Sequence, residues 1–283
     1  MGIASGGQLL LVERGGVAAL GSTGFRVSSG ALLDPTRLVS FAGDHVAIPE
    51  SRRILLLDTT TGAVETLKDA DAFGRFFAAA SSQDYVAAAS ALGDNGVSVF
   101  DRRSGEVLWR QSTRKRAGFG RMAWGGRFLV IAGSNAEVFL YEGQTGVVVE
   151  TRELPISGWT RAVGISKDAG CVALSTSERE VCLWIREPQE FVRVPAGGGV
   201  QVTSLGFSED GSLLVTGSAK GLLEVFDLLG RPLLSFSEKV EVAFSEEVGD
   251  GTRRVRSIAC REGRVFWAIR NRVYAADLPT TTR

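Results

Sequence analysis

Histidine is almost missing from these 283 residues, with His45 standing alone. Two methionines and three cysteines complete the list of scarce types. No apolar run approaches the roughly 20 residues needed to span a bilayer as a helix. Net charge is absent too: 32 basic residues face 32 acidic ones, which removes any global electrostatic case for nucleic acid or an anionic membrane. With 44% hydrophobic and 23% charged residues, the composition is that of a folded globular protein. Disorder, collagen and coiled coil are excluded.

The scarce residues also limit the chemistry. Cys171, Cys182 and Cys260 include no C-x-x-C pair and no neighbouring histidine, so no metal site is expected. A hairpin turning near Glu178 and Arg179 would set Cys171 and Cys182 several residues out of register, which argues against a disulfide. The segments HExxH, GxSxG and the P-loop do not occur, and no GxGxxG lies between a strand and a helix. His45 would need a nucleophile and an orienting acid to act as a base, and a structural role is expected for it instead. A non-enzymatic protein with no cofactor follows. The opening MGIASGGQLLLVERGG has neither a basic segment nor a long apolar one, so a soluble, cytoplasmic protein with no membrane association is expected.

What is present is a repeat. The segments Ile54–Leu67, Val97–Trp109, Glu137–Glu150, Glu180–Val194 and Leu222–Phe236 align as strand, short turn, strand. In three of them the turn approximates D-x-x-T/S-G, where a side-chain oxygen caps the turn and Gly62, Gly105 or Gly146 takes a positive φ. Two further short strands precede each hairpin, most clearly in Val202–Asp227 with turns at Asp210-Gly211 and Lys220-Gly221. The unit therefore has four strands. The chain ends join the series, since Gly2–Leu20 aligns with Ser257–Asp277. The third strands end at Gly21, Asp58, Asp101, Glu142, Ile185, Asp227 and Asp277, spaced by roughly 40 residues as in blade-type repeats. An acidic insertion around Ser245 to Gly251 lengthens the last interval.

Such a pattern, without helical periodicity, predicts an all-β fold: a β-propeller of seven four-stranded antiparallel blades, with six blades as the alternative. A single domain over 1–283 is expected, with blades near 1–30, 31–70, 71–113, 114–154, 155–197, 198–238 and 239–283. Continuous apolar runs such as Ile54–Leu57 mark strands covered on both faces.

The segment Ser208–Asp227 resembles the repeat of the WD-repeat family. Leu57-Asp58, Phe100-Asp101 and Phe226-Asp227 stand where that family has Trp-Asp. Trp184 keeps the aromatic, while Ile185 replaces the acid. The family's Gly-His element is missing, so its Asp-His-Ser-Trp hydrogen-bond network is not expected, and the resemblance is to a divergent WD-repeat-like propeller. Phe100–Trp109 also looks like the repeat of quinoprotein propellers.

Aligned first strands open on Pro35-Thr36-Arg37, Phe73-Gly74-Arg75, Phe119-Gly120-Arg121 and Trp159-Thr160-Arg161, with Arg254 and Arg256 in the same zone of the last blade. In WD-repeat-like propellers the first strand is innermost and starts on the face where partners dock, which would set these guanidiniums at the mouth of a channel. They would then favour a carboxylate, a phosphate or an acidic peptide. The other reading is structural, because Glu50, Asp94, Glu137 and Glu180 reach the same face in the same blades. A basic loop, Arg114-Lys115-Arg116 with Phe119 nearby, breaks the repeat and is a second candidate contact. The expected function is a protein-protein interaction scaffold and complex subunit, with another protein or an acidic peptide as partner. The candidate site residues are Arg37, Arg75, Arg121, Arg161, Trp159, Arg114, Lys115, Arg116 and Phe119. The alternatives are an accessory subunit on RNA or DNA, or a propeller enzyme of quinoprotein or hydrolase type.

Overall fold

A computed structural model of the chain describes residues 2–3, 9–13, 16–20, 26–27, 40–42, 45–50, 53–58, 63–67, 76–90, 96–112, 121–133, 136–237, 255–261, 263–269 and 272–279. These form seven antiparallel sheets, six of four strands and one of three, each a simple meander in chain order. Blade 1 holds Gly2–Ile3, Leu9–Glu13, Gly16–Leu20 and Arg26–Val27, and blade 2 holds Ser40–Ala42, His45–Glu50, Arg53–Asp58 and Val64–Thr66. Blade 3 is Phe76–Ser81, Tyr85–Ser90, Gly96–Asp101 and Val107–Ser112; blade 4 is Arg121–Gly125, Phe128–Ala132, Glu137–Glu142 and Val148–Glu153. Blade 5 comprises Thr160–Ile165, Cys171–Thr176, Val181–Ile185 and Glu190–Arg193, and blade 6 comprises Val202–Phe207, Leu213–Ser218, Leu222–Asp227 and Pro232–Ser237. Blade 7 has Val255–Arg261, Arg264–Ile269 and Arg272–Asp277, three strands among the described residues where four were expected. The fold is all-β and of propeller type, with a short turn at Gly197–Gly199 as the one helical element described.

Six of the third strands end on the residue that the spacing picked out, from Asp58 in blade 2 to Asp277 in blade 7. The hairpin turns form for the expected reason. Asp101 Oδ1 accepts from the backbone of Arg103 at 2.9 Å and of Ser104 at 2.8 Å, and Gly105 closes the turn at φ +70°. Glu142 replaces the aspartate in blade 4, where its carboxylate accepts from both N–H and hydroxyl of Thr145. These bonds hold the carboxyls of Asp101 and Glu142 below their ordinary range.

The chain divides into two compact units, Met1–Arg152 and Glu153–Arg283. In the first, Ile54 and Leu56 of blade 2 pack on Phe76, Val86 and Phe100 of blade 3, whose other face meets Leu129, Ile131 and Tyr141 of blade 4. In the second, blade 5 packs on blade 6 through Leu183, Val194, Leu214 and Phe226, and blade 6 on blade 7 through Val215, Val225, Val265 and Trp267. Cys171–Thr176 and Leu213–Ser218 are buried along their whole length. Outer strands such as Val148–Glu153 are largely exposed.

Glycine makes one of these joints possible. The Trp109 ring, on the outer strand of blade 3, lies against Gly146 of blade 4, stacks on Tyr141 at 5.5 Å and donates from Nε1 to Gly143 O at 2.7 Å. A methyl at Gly146 would sit 2.6 Å from that ring and would also occupy φ +72°. Gly263 has a similar φ of +69° with nothing within 4 Å. Gly146→Ala should therefore lower unfolding stability by about 2–5 kcal/mol, strain and overpacking together, and Gly263→Ala by only about 1–2 kcal/mol. Urea denaturation of the two variants checks the difference, and equal losses would remove the packing argument.

Candidate functional site

The loop before blade 5 is pinned at several points. Ser157 N–H donates to Glu180 Oε2 at 2.6 Å, while Arg193 bridges Glu180 Oε1 at 3.1 Å and Pro155 O at 2.9 Å. Trp159 and Ser177 exchange two bonds: Trp159 N–H reaches Ser177 Oγ at 2.9 Å, and Ser177 N–H reaches Trp159 O at 2.8 Å. Gly158, at φ +95°, is pressed so close to Ser177 and Glu178 that a Cβ would fall 2.6 Å from Glu178 Cγ. The result is a pedestal from which the Trp159 side chain stands 69% exposed.

Arg161 follows on a β-bulge. Thr160 pairs with Thr176 and Ala162 with Ser175, so Arg161 is the extra residue. A bulge re-aims its side chain. The same break recurs at Thr203 in blade 6 and at Arg256 in blade 7. Thr203 shows where such a side chain goes, since its hydroxyl donates to Val255 O of the following blade at 2.7 Å. Arg161 is half-buried, and its Nε lies shielded from solvent without a hydrogen-bond partner.

Other cations on these loops are spent. Arg193 pairs with Glu180, the acid expected beside Arg161 in blade 5, and Arg179 Nη1 donates to Gly199 O at 2.9 Å. Gln201 Nε2 ties the connector after Gly199 back to Ser177 O at 3.2 Å. In blade 4, Arg121 and Glu137 head the first and third strands, and both are engaged. Arg37, Arg75, Arg114, Lys115, Arg116 and Phe119 lie outside the described residues, as does Arg254. The structure thus places Trp159 just before the first strand of blade 5 and Arg161 within it. Sequence spacing missed the bulge and the Glu180–Arg193 bridge, because both depend on which strand residues face each other.

His45 joins two blades. Its Nδ1 lies 3.2 Å from Arg102 Nη1 of blade 3, and its Nε2 lies 3.8 Å from Asp58 Oδ2 on the paired strand. Among the described residues, no group of three or more His, Cys, Asp or Glu is arranged to hold a metal ion. Also among them, no helix is long and apolar enough to cross a membrane. Trp184 Nε1 is buried without a hydrogen-bond partner.

The family described as outer membrane protein assembly factor BamB matches twice in overlapping copies, at residues 13–157 and 93–270. The chain belongs to that family. No curated protein matches the chain. Among solved structures, the computationally designed Ika8 protein is similar at TM-score 0.62 and 18% identity, covering 95% of this chain and 82% of its own. A chain of the mitotic checkpoint complex is similar at TM-score 0.65 and 14% identity, covering 85% and 74%. At such identities these two likenesses show the fold. These findings support a β-propeller family and do not single out the WD-repeat one.

The cysteines are free, and Cys182 pairs across the sheet with Leu174, three places from Cys171. Burial pushes the Cys171 thiol up to about 11 and the Cys182 thiol up to about 12. At pH 8 roughly one in a thousand or fewer would be thiolate. Iodoacetamide should leave both unmodified in the folded protein and label them in urea, as read by peptide mass mapping. Rapid labelling without urea would contradict the burial.

Proposed function

We propose that the chain is a non-catalytic docking platform that captures an acidic segment of another protein within a larger assembly. The observation that carries this reading is Trp159, a large aromatic held out in solvent by a hydrogen-bonded pedestal, with Arg161 two residues away. An exposed tryptophan on a rigid support loses little ordering entropy when it is covered, and tryptophan and arginine are the side chains that most often dominate binding energy. Arg161 forms no ion pair among the described residues. A carboxylate on the partner would supply one in a partly desolvated place, where such a bond is stronger than at an open surface.

The matching family is described as an assembly factor, and one similar structure was solved within a complex. Those words concern other proteins, and they agree with a scaffold. A cytoplasmic setting belongs to the same proposal and rests on the three unpaired thiols.

The test is the double variant Trp159→Ala, Arg161→Gln. Because the Trp159 ring is exposed, the melting temperature should stay within about 2 °C of the parent. Capture from an extract of the source cells, quantified by mass spectrometry, should lose the proteins retained by the parent, by about 30-fold or more for a hot-spot aromatic. An unchanged set of captured proteins would discard the proposal.

A further inference from the structure

Glu224 stands in the third strand of blade 6, opposite Thr216 and Ser235. Strand alternation puts it on the same face as Phe226, which packs with Val194, Ala196 and Leu214 in the apolar joint between blades 5 and 6. A half-buried carboxylate there is costly unless it is used. Its recorded partner is the backbone N–H of Gly197, which donates to Oε2 at 2.5 Å. The neighbouring Thr216 hydroxyl is buried without a partner.

Gly197 begins the connector from blade 5 to blade 6, and Gly197, Gly198 and Gly199 take φ of +83°, +54° and +81°. Side chains other than glycine rarely adopt that conformation, so the connector owes its shape to its glycines and to what grips it. Glu224 grips one end, and the turn between Thr176 and Val181 grips the other through Arg179 on Gly199 and through Ser177, which accepts from Gln201. Ser177 is also the residue that exchanges two bonds with Trp159. A path of hydrogen bonds joined through the backbone of the connector therefore runs from Glu224 to the pedestal.

We infer that Glu224 is a protonation-sensitive latch on the Gly197–Gly199 connector, and that releasing it loosens the turn supporting Trp159. This rests on the reading of Trp159 as the docking anchor and gives that site a regulator. An ionised carboxylate is the stronger acceptor, so taking up a proton weakens the grip on Gly197. Burial raises the Glu224 carboxyl above its ordinary value, opposed by the Gly197 N–H. Its titration therefore occurs at higher pH than that of a surface glutamate. No charged side chain contributes to that shift. The charged residues on the adjoining turns are Glu178, Arg179, Glu180 and Lys220, and the Cys171 thiol of the same joint, at about 11, stays neutral. The global sign is opposite to the local one: with its folded pKa raised, Glu224 adds stability as pH falls through that value, while the connector loosens. Ordinary acid unfolding would lower both.

The test is amide hydrogen exchange on the full chain by NMR, from about pH 7.5 to about pH 4.5, expressed as protection relative to the unfolded peptide. Protection at Gly197 and Trp159 should fall together as pH drops, by roughly tenfold, while Val215 in the blade 6 core keeps its value. Glu224→Gln should show the low-pH protection at every pH, and Glu224→Leu should match it. Constant protection at Gly197, a fall at Gly197 without one at Trp159, or parent-like protection in Glu224→Gln would each overturn the latch. No partner enters the measurement, so failure of the docking proposal and failure of the latch are read separately.

Discussion

The second strands of blades 5 and 6 are covered on both faces, and that constraint governs the rest. A sheet whose second strand reads Cys171–Thr176 or Leu213–Ser218, buried at each position, has no face to offer water and must lie between neighbours of its own kind. The hydrophobic term thus sets the blade as a dependent unit. Outer strands, turns and inter-blade connectors are left to meet solvent, and, whereas Glu224 stands within a sheet, the Trp159 site lies on them. The Trp159 pedestal is built there because its backbone groups, unlike those within the sheets, are free to be satisfied by side chains such as Glu180 and Ser177.

Much of the blade was legible in the sequence because its signals are local. The capped turns at Asp101–Gly105 and Glu142–Gly146 depend on residues three or four apart, and third-strand ends follow from them. Features that depend on partners distant in the chain were not legible. The fit of Trp109 against Gly146 joins two blades, and no spacing rule separates a glycine needed for φ from one needed for room. The bulge at Arg161 is a property of pairing register, so an alignment of first strands treats Arg121 and Arg161 as equivalents when they are not. The fourth, outer strand supplied Arg193 for Glu180, where proximity in the repeat suggested Arg161.

The arginines of blade 5 therefore divide into different roles. Arg193 and Arg179 spend their charge in holding loops, and this rigidity is what allows Trp159 to remain exposed without collapsing onto the sheet. Arg161, turned by its bulge, retains an unmatched donor. A neutral protein of this kind has no long-range field with which to recruit a partner, so recognition rests on short-range contact at a preformed spot.

The most direct measurement replaces Trp159 in the source cells with the aromatic photo-crosslinker p-benzoylphenylalanine, which keeps a large aromatic anchor in place, with Thr66 on the outer strand of blade 2 as an exposed control position. The account predicts a discrete adduct at position 159, mapping to an acidic stretch of one protein and absent from position 66. Adducts that are lacking at 159, or that are the same at both positions, would contradict it.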